Sequence, residues 1–164
     1  MNNKKVDTKK DSQTAPALVG EDLFKLPSSP SDKPHLMGNK CRSCGEMFFP
    51  SRVCCRRCSS EDMEDILFNP IGKLYSFTTI RVKPPHSIMP VPYMVGLVEL
   101  EGGEKVKTLL TDCDQSSLKI GMNMELVIES IGETQEPMGS IEVGTDITGW
   151  KFRPAGGKSK LGKS

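Results

Sequence analysis

The chain has 164 residues, six cysteines and a formal net charge of +1, which favours one domain or one small domain with a satellite module. Its 36% hydrophobic residues allow a modest core and exclude a large enzyme with a deep cleft of its own. No apolar run approaches the roughly 18 residues of a membrane-spanning helix, so no membrane association is predicted. Residues 1–19 lack the apolar stretch typical of a secretion signal and the arginines typical of a transit peptide. We therefore expect a cytoplasmic protein, where paired cysteines more often bind metal than form disulfides.

The charge is distributed unevenly along the chain. Residues 40–58 carry five basic residues and one acid, whereas residues 59–154 carry eight bases and fifteen acids. A basic, cysteine-containing segment therefore precedes an acidic main body. Phosphate binding needs a basic surface, so this balance makes nucleic acid an unfavoured partner.

The order of segments predicts a mostly β protein. Residues 1–20 lack hydrophobic periodicity and are predicted to be a disordered tail. Residues 21–35 are predicted to form a short helical turn followed by a proline-rich segment that leads to the cysteine segment. The cysteine segment occupies residues 36–62, a barrel is predicted over 63–154, and 155–164 are predicted to be a flexible basic tail.

Five short runs after the cysteine segment are rich in β-branched, aliphatic and aromatic residues and predict strands. Gly102 and Gly103 separate two of them and predict a tight hairpin. Five short strands favour a closed barrel, because closure removes exposed sheet edges, and an OB-type barrel fits best. The runs are residues 74–83, 93–100, 105–111, 124–131 and 141–152.

Four cysteines have the spacing of a metal centre. Cys41 and Cys44 form one Cys-x-x-Cys knuckle, and Cys55 and Cys58 form a second one after ten intervening residues. Two such knuckles bring four thiolates to the tetrahedral arrangement that zinc prefers, and the spacing suits a rubredoxin-like zinc ribbon. Four thiolates leave no open coordination position, so we predict one structural zinc ion rather than a catalytic metal.

Two alternatives stay open for this centre. Cys54 precedes Cys55, so Cys54 and Cys58 form a conceivable knuckle of different spacing. We favour Cys55 because its two-residue spacing repeats that of the first knuckle. Four thiolates also suit iron, as in rubredoxin.

Catalytic motifs are absent from the sequence. His35 and His86 lie in proline-rich segments and are interpreted as solvated loop histidines. Cys113 lies between two aspartates, which disfavour a nucleophilic thiolate. No Gly-x-Ser-x-Gly, Walker or dinucleotide-binding motif occurs. We therefore predict a chain without catalytic residues of its own.

Side chains alternate between the two faces of the first predicted strand, and one face has the composition of a binding surface. Tyr75 and Phe77 would lie on one face together with Lys73 and Arg81, as in a stacking surface for single-stranded nucleic acid. We favour the interpretation that both aromatic rings face inward and form part of the barrel core. A single-strand nucleic-acid-binding module therefore remains the alternative function.

A proline-rich loop over residues 84–92 is the second candidate surface. It contains four prolines, and a stiff apolar loop loses little conformational entropy when it docks on a partner. The alternative is a loop that folds back on the barrel. The residues predicted to contact a partner protein are His86, Ile88, Met89 and Val91.

Seven short motifs occur in a specific order along residues 36–154. They are Cys41-Arg-Ser-Cys44-Gly45, Phe49-Pro50-Ser-Arg52, Cys55-Arg-Arg-Cys58, Gly72-Lys-Leu-Tyr-Ser-Phe77-Thr78, Pro92-Tyr93-Met-Val-Gly-Leu-Val-Glu99-Leu100, Leu118-Lys-Ile-Gly121-Met122 and Phe152-Arg-Pro154. This order resembles the zinc-ribbon plus OB-fold family of accessory proteins found beside thiolases and acyl-CoA hydratases. The chain departs from the family in lacking the proline usual after Cys55 and in its short, proline-broken amino-terminal helix.

The resemblance implies an accessory subunit of a thiolase-fold acyl-CoA enzyme, or alternatively a partner of a hydratase, with the catalytic residues in the partner. It further implies a heterotetramer with two copies of each chain and, more narrowly, a benzoylsuccinyl-CoA thiolase of aromatic degradation. Coenzyme A or acyl-CoA is then bound only through the complex. Arg42, Arg56 and Arg57 are candidates to approach coenzyme A phosphates or acidic groups of the partner, or else are solvated ribbon charges.

Overall fold

The computed structural model describes residues 17–18, 20–29, 32–85, 87–134 and 141–156. Within these residues the regular structure is almost entirely β, with two single-turn 3-10 helices at Glu21–Leu23 and Glu101–Gly103. None of these helices is long and apolar enough to cross a membrane. The strands are β1 (Ala17–Leu18), β2 (Phe24–Lys25), β3 (His35–Cys41), β4 (Met47–Phe48), β5 (Met63–Leu67), β6 (Ile71–Ile80), β7 (Tyr93–Glu99), β8 (Lys105–Leu110), β9 (Asn123–Glu133) and β10 (Asp146–Pro154).

Five strands form a closed barrel in the order β6-β7-β8-β10-β9, and β9 closes it by pairing with β6. Neighbouring strands are antiparallel except β8 and β10, which run parallel. Alternate positions of each strand face inward; on β8 these are Val106, Thr108 and Leu110, all buried. The prediction of a mostly β chain with a small closed barrel is confirmed.

A β-bulge in β6 changes which side chains face the barrel core. The register with β7 shifts between Leu74 and Ser76, so Leu74 is fully buried whereas Tyr75 is 52% exposed. Beyond the bulge, Phe77 packs against the core. The prediction that both rings face inward is therefore wrong for Tyr75, because the extra residue of a bulge inverts the alternation. The same inversion separates the two rings of the predicted stacking platform.

The ribbon is a second, smaller sheet built around β3, which pairs with β2, β4 and β5. The structure places β5 with the ribbon, beyond the boundary predicted at residue 62. Pairing of Ala17–Leu18 with β10 adds a short strand inside the predicted amino-terminal tail. The short helical turn predicted after residue 20 is a single 3-10 turn, and β2 begins directly after it. The remaining predicted tails, residues 1–16 and 157–164, lie outside the described residues.

An aromatic cluster joins the ribbon to the barrel. The ring centroid of Phe49 lies 6.4 Å from that of Phe68 and 6.0 Å from that of Trp150 on β10. Phe24 lies 6.0 Å from Trp150 on another side. Edge-on aromatic pairs contribute about 0.5–1.5 kcal/mol each beyond their buried area. The cysteine-bearing sheet is thus anchored on the barrel by packed rings.

Candidate metal centre

Two turns of the ribbon bring four cysteine side chains together. The Sγ atoms of Cys41, Cys44, Cys55 and Cys58 all lie within 4.8 Å of one another. Cys41 and Cys58 sulfurs are 3.6 Å apart, and those of Cys44 and Cys55 are 3.5 Å apart. Tetrahedral zinc with Zn–S bonds of about 2.3 Å separates its sulfur ligands by roughly 3.8 Å. The donor set and its spacing therefore fit one Zn²⁺ ion, and the same four thiolates also suit iron.

The two knuckles are built from the same backbone turn. In each, the N–H of the first cysteine donates to the carbonyl oxygen five residues on, at 2.8 and 2.9 Å. Its own carbonyl oxygen accepts from the N–H four residues on, again at 2.8 and 2.9 Å. That fourth residue has a positive φ in both turns, +77° at Gly45 and +60° at Ser59. Glycine adopts this conformation freely, whereas serine pays a steric cost that the surrounding turn must offset.

The equivalence of the two turns shows that Cys55, rather than Cys54, corresponds to Cys41 of the first turn. Cys55 occupies the position in the second turn that Cys41 occupies in the first, and both are buried. The backbone N–H of Arg57 also donates to Cys55 Sγ, at 3.3 Å. Cys54 is exposed and lies outside the cluster. The structure therefore brings Cys55, and not Cys54, to the candidate site.

The acidities of the thiols are consistent with a cation site. Burial raises the pKa of the Cys41 thiol, but hydrogen bonds from the backbone at Cys44 and Ser43 and from neighbouring thiols lower it to about 6. At Cys44 the backbone hydrogen bond at Glu46 lowers the pKa, yet burial and three neighbouring thiols raise it to about 12. Four adjoining thiols cannot all ionise unless a cation neutralises them. Metal binding requires the deprotonated form, and the turns stabilise the first of these thiolates.

The three arginines predicted to approach coenzyme A lie on the ribbon surface and are more than half exposed. Each has acidic partners in this chain. Exposed ion pairs are weak, so these contacts leave the guanidinium groups able to meet an external anion. Their role toward coenzyme A stays a prediction. The pairs are Arg42 with Asp62 (3.5 Å) and Glu64 (3.4 Å), Arg56 with Glu46 and Glu104 (both 3.9 Å), and Arg57 with Glu46 (3.4 Å).

The loop predicted to contact a partner lies partly against the barrel. Ile88 and Met89 are half-buried, whereas Val91 is 36% exposed. A Cβ added to Gly132 of β9 would lie 2.9 Å from the carbonyl oxygen of Ile88, so the glycine allows a close approach of the loop. His86 lies outside the described residues. Contact of this loop with a partner stays a prediction, with Val91 as its best-presented apolar side chain.

A groove that was not predicted from the sequence lies on the outer face of β6, β7 and β8 and has a volume of about 530 Å³. Its floor includes Val95 and Leu109, and Trp150 and Met89 also line it. One signal was present in the sequence, since residues 93–98 of β7 contain no charged side chain and are apolar on both faces of the strand. Such runs are typical of strands that are covered on both sides.

A zinc-type ribbon followed by a closed five-stranded barrel defines a zinc-ribbon/OB-fold protein. The family model of the ChsH2 rubredoxin-like zinc ribbon domain matches residues 32–64, and that of the ChsH2 C-terminal OB-fold domain matches residues 68–129. A DUF35 domain-containing scaffold protein of Methanothermobacter thermautotrophicus is 35% identical over 121 residues, covering 73% of this chain and 86% of that protein. The chain belongs to this DUF35 family, as the ordered motifs predicted.

Two other similarities concern named enzyme complexes. Benzoylsuccinyl-CoA thiolase subunit BbsA of Thauera aromatica is 24% identical over 153 residues, covering 93% of this chain and 99% of that subunit. The solved structure described as "Ltp2-ChsH2(DUF35) aldolase" has a TM-score of 0.56 and 29% sequence identity. That similarity covers 74% of this chain and 85% of the other.

Proposed function

We propose that this chain is the non-catalytic accessory subunit of a thiolase-type acyl-CoA acyltransferase. The observation that carries the proposal is the similarity to a benzoylsuccinyl-CoA thiolase subunit, which spans 93% of this chain and 99% of that subunit. Similarity to a scaffold protein supports a structural contribution to the complex rather than a chemical one. The subunit supports complex assembly and the site for coenzyme A and substrate.

A structural Zn²⁺ ion held by Cys41, Cys44, Cys55 and Cys58 fixes the ribbon in this proposal. Four thiolate ligands leave the ion no open position for substrate. Its contribution is folding free energy, on the order of 10 kcal/mol for small zinc modules. A rigid ribbon presents Arg42, Arg56 and Arg57 to coenzyme A phosphates or to carboxylates of the enzyme. Guanidinium groups suit both, because their planar donors match phosphate and carboxylate oxygens.

The proposed assembly is a heterotetramer with two copies of each chain. A two-fold symmetric enzyme presents two equivalent docking surfaces, so two accessory subunits are the simplest complement. The loop 84–92 is the proposed contact on the barrel side, and aromatic-compound degradation is the proposed setting.

Native mass spectrometry of an affinity-tagged copy, purified gently from its own cells, tests the proposal when metal is measured on the same sample. The expected result is a complex with a thiolase-sized partner, two copies of each chain and one zinc ion per copy. The complex should then cleave an acyl-CoA thiolytically. A lone chain with bound oligonucleotide would contradict the proposal in favour of the nucleic-acid alternative. Hydration of enoyl-CoA without thiolysis would identify a hydratase partner instead.

Val91→Asp is expected to weaken binding to the purified partner enzyme by about tenfold or more, since a charge in the apolar centre of an interface is costly. Biolayer interferometry measures the change. The matched control is Ile120→Asp, which places the same charge at a residue 62% exposed in the segment before β9. Equal affinities of the two variants would remove the loop 84–92 from the interface.

A further inference from the structure

A buried amide side chain ties the segment before the second knuckle to strand β3. Asn39 lies in β3, two residues before Cys41, and only 4% of it is exposed. Its Nδ2 donates to the carbonyl oxygen of Arg52 at 2.6 Å, and its Oδ1 accepts from the backbone N–H of the same residue at 3.1 Å. One side chain thus satisfies both main-chain groups of Arg52, as a neighbouring strand would.

These two bonds anchor a segment that has little other main-chain support. Residues 49–54 connect β4 to Cys55 and contain no regular secondary structure. They form no backbone–backbone hydrogen bond with any residue that the structure describes. The first knuckle needs no such anchor, because it lies in the turn between β3 and β4, which pair directly. Asn39 therefore fixes the approach to Cys55 from the amino-terminal side.

The second turn also needs more support from its surroundings than the first. The fourth residue after the first cysteine has a positive φ in both turns, but it is Gly45 in the first and Ser59 in the second. Serine has a steric cost in this conformation that glycine does not have. Strained conformations persist where the surrounding structure holds them in place. The bonds between Asn39 and Arg52 supply such a constraint directly before the turn.

The same segment brings positive charge close to the cysteines. The Cζ atom of Arg52 lies 5.8 Å from the centroid of the Phe48 ring, and that of Arg56 lies 5.6 Å from it. Phe48 is 1% exposed and belongs to one cluster with Cys41 and Cys55. Four thiolates exceed the charge of one divalent cation by two, so nearby guanidinium groups favour the metal-bound site.

We propose that Asn39 is a positioning residue of the metal centre, which holds the second knuckle where its two thiolates can share one ion with those of the first. Hydrogen-bonding groups outside the ligand shell act through the ligands, and their loss typically costs 10–100-fold in metal affinity. The inference rests on the structural zinc ion of the function proposed above, but it does not depend on an enzyme partner.

The zinc affinity of the purified, reduced full chain tests this role, measured by competition with a chromogenic chelator. Asn39→Leu keeps the side-chain volume but removes both hydrogen bonds, and it should weaken zinc binding by about tenfold or more. Asn39→Thr is a milder change in a strand and should act in the same direction, because its hydroxyl is too short to reach both groups of Arg52. The matched control is Asn69→Leu between β5 and β6, which removes an amide that accepts from the N–H of Ile71 at 3.0 Å and should bind zinc like the wild type.

Cobalt distinguishes positioning of the ligands from a general loss of stability. Co²⁺ bound by four thiolates has absorption bands whose positions and intensities depend on the geometry of its ligands. We expect altered bands in both Asn39 variants and wild-type bands in Asn69→Leu. Wild-type zinc affinity in both Asn39 variants would overturn the proposal, and so would weaker binding with an unchanged cobalt spectrum.

The outcome is separable from that of the proposed function. Both metal measurements use the chain alone, whereas complex formation is measured by native mass spectrometry. If the chain joins a thiolase-sized partner but its Asn39 variants bind zinc like the wild type, only the positioning role is refuted. If the Asn39 variants bind zinc weakly but the wild type recruits no enzyme, only the accessory-subunit function is refuted.

Discussion

Cys41→Ser is expected to abolish metal binding by the ribbon and to unfold it. Cys41 is completely buried, and a neutral serine hydroxyl cannot replace a thiolate on zinc. The apolar cluster beside the cysteines is small, with Phe48 at its centre and Met63 packed against it. Structural zinc supplies about 10–16 kcal/mol to modules of this kind, more than such a cluster can replace. Zinc content measured by inductively coupled plasma mass spectrometry should fall to background, with loss of ribbon protection in hydrogen exchange.

The matched control is Cys54→Ser, which removes a thiol directly beside a predicted ligand. Cys54 is exposed and outside the cluster, so zinc content and hydrogen exchange should match the wild type. Chelation of the wild-type chain should reproduce the Cys41→Ser result. Retention of zinc by Cys41→Ser together with its loss in Cys54→Ser would show that the ligand set is wrong.

The clustering of the four cysteines could be predicted because it is encoded locally. Each knuckle closes through hydrogen bonds within six residues, so the spacing of the cysteines carries most of the geometry. The spacing favours Cys55 over Cys54, and the turn itself shows why Cys54 lies outside the cluster. Gly45 signals the positive φ of the first turn, but Ser59 gives no such signal for the second, because serine seldom adopts that conformation. Only the hydrogen-bond pattern shows that the two turns are equivalent.

Several features of the barrel could not be predicted from local sequence patterns. The alternation of side chains predicts the β6 hairpin but gives no sign of its bulge, and it therefore places Tyr75 inside the barrel. In the structure the Tyr75 ring lies outside, with its centroid 4.6 Å from Nζ of Lys105. The segment Met63–Leu67 does not alternate, and its membership of the ribbon depends on pairing with β3. The apolar outer face of β7 was visible in the sequence. The groove there requires Trp150 from a strand about fifty residues away in the chain, which no local pattern supplies.

Phe68→Ala is expected to lower the free energy of unfolding by about 3–5 kcal/mol, the usual cost of removing a buried phenyl ring. Phe68 is 2% exposed and lies where the ribbon passes into the barrel, between β5 and β6. Its ring approaches Gly38 so closely that an added Cβ there would lie 2.5 Å from it. The same ring packs edge-on against Phe49. A cavity at this point therefore loosens the ribbon from the barrel as well as destabilising both.

Chemical denaturation measures this effect, and Tyr75→Ala is the control because it removes an aromatic ring that is half exposed. Tyr75 loses mainly its contact with Lys105, worth about 0.5–1 kcal/mol at exposed sites. If ribbon and barrel must hold a fixed relation to engage one enzyme, Phe68→Ala should also weaken the complex while still binding zinc. If Phe68→Ala and Tyr75→Ala lowered the free energy of unfolding equally, the Phe68 ring would not be the contact that joins the ribbon to the barrel. Intact affinity for the enzyme in a destabilised Phe68→Ala chain would show that one of the two units docks alone.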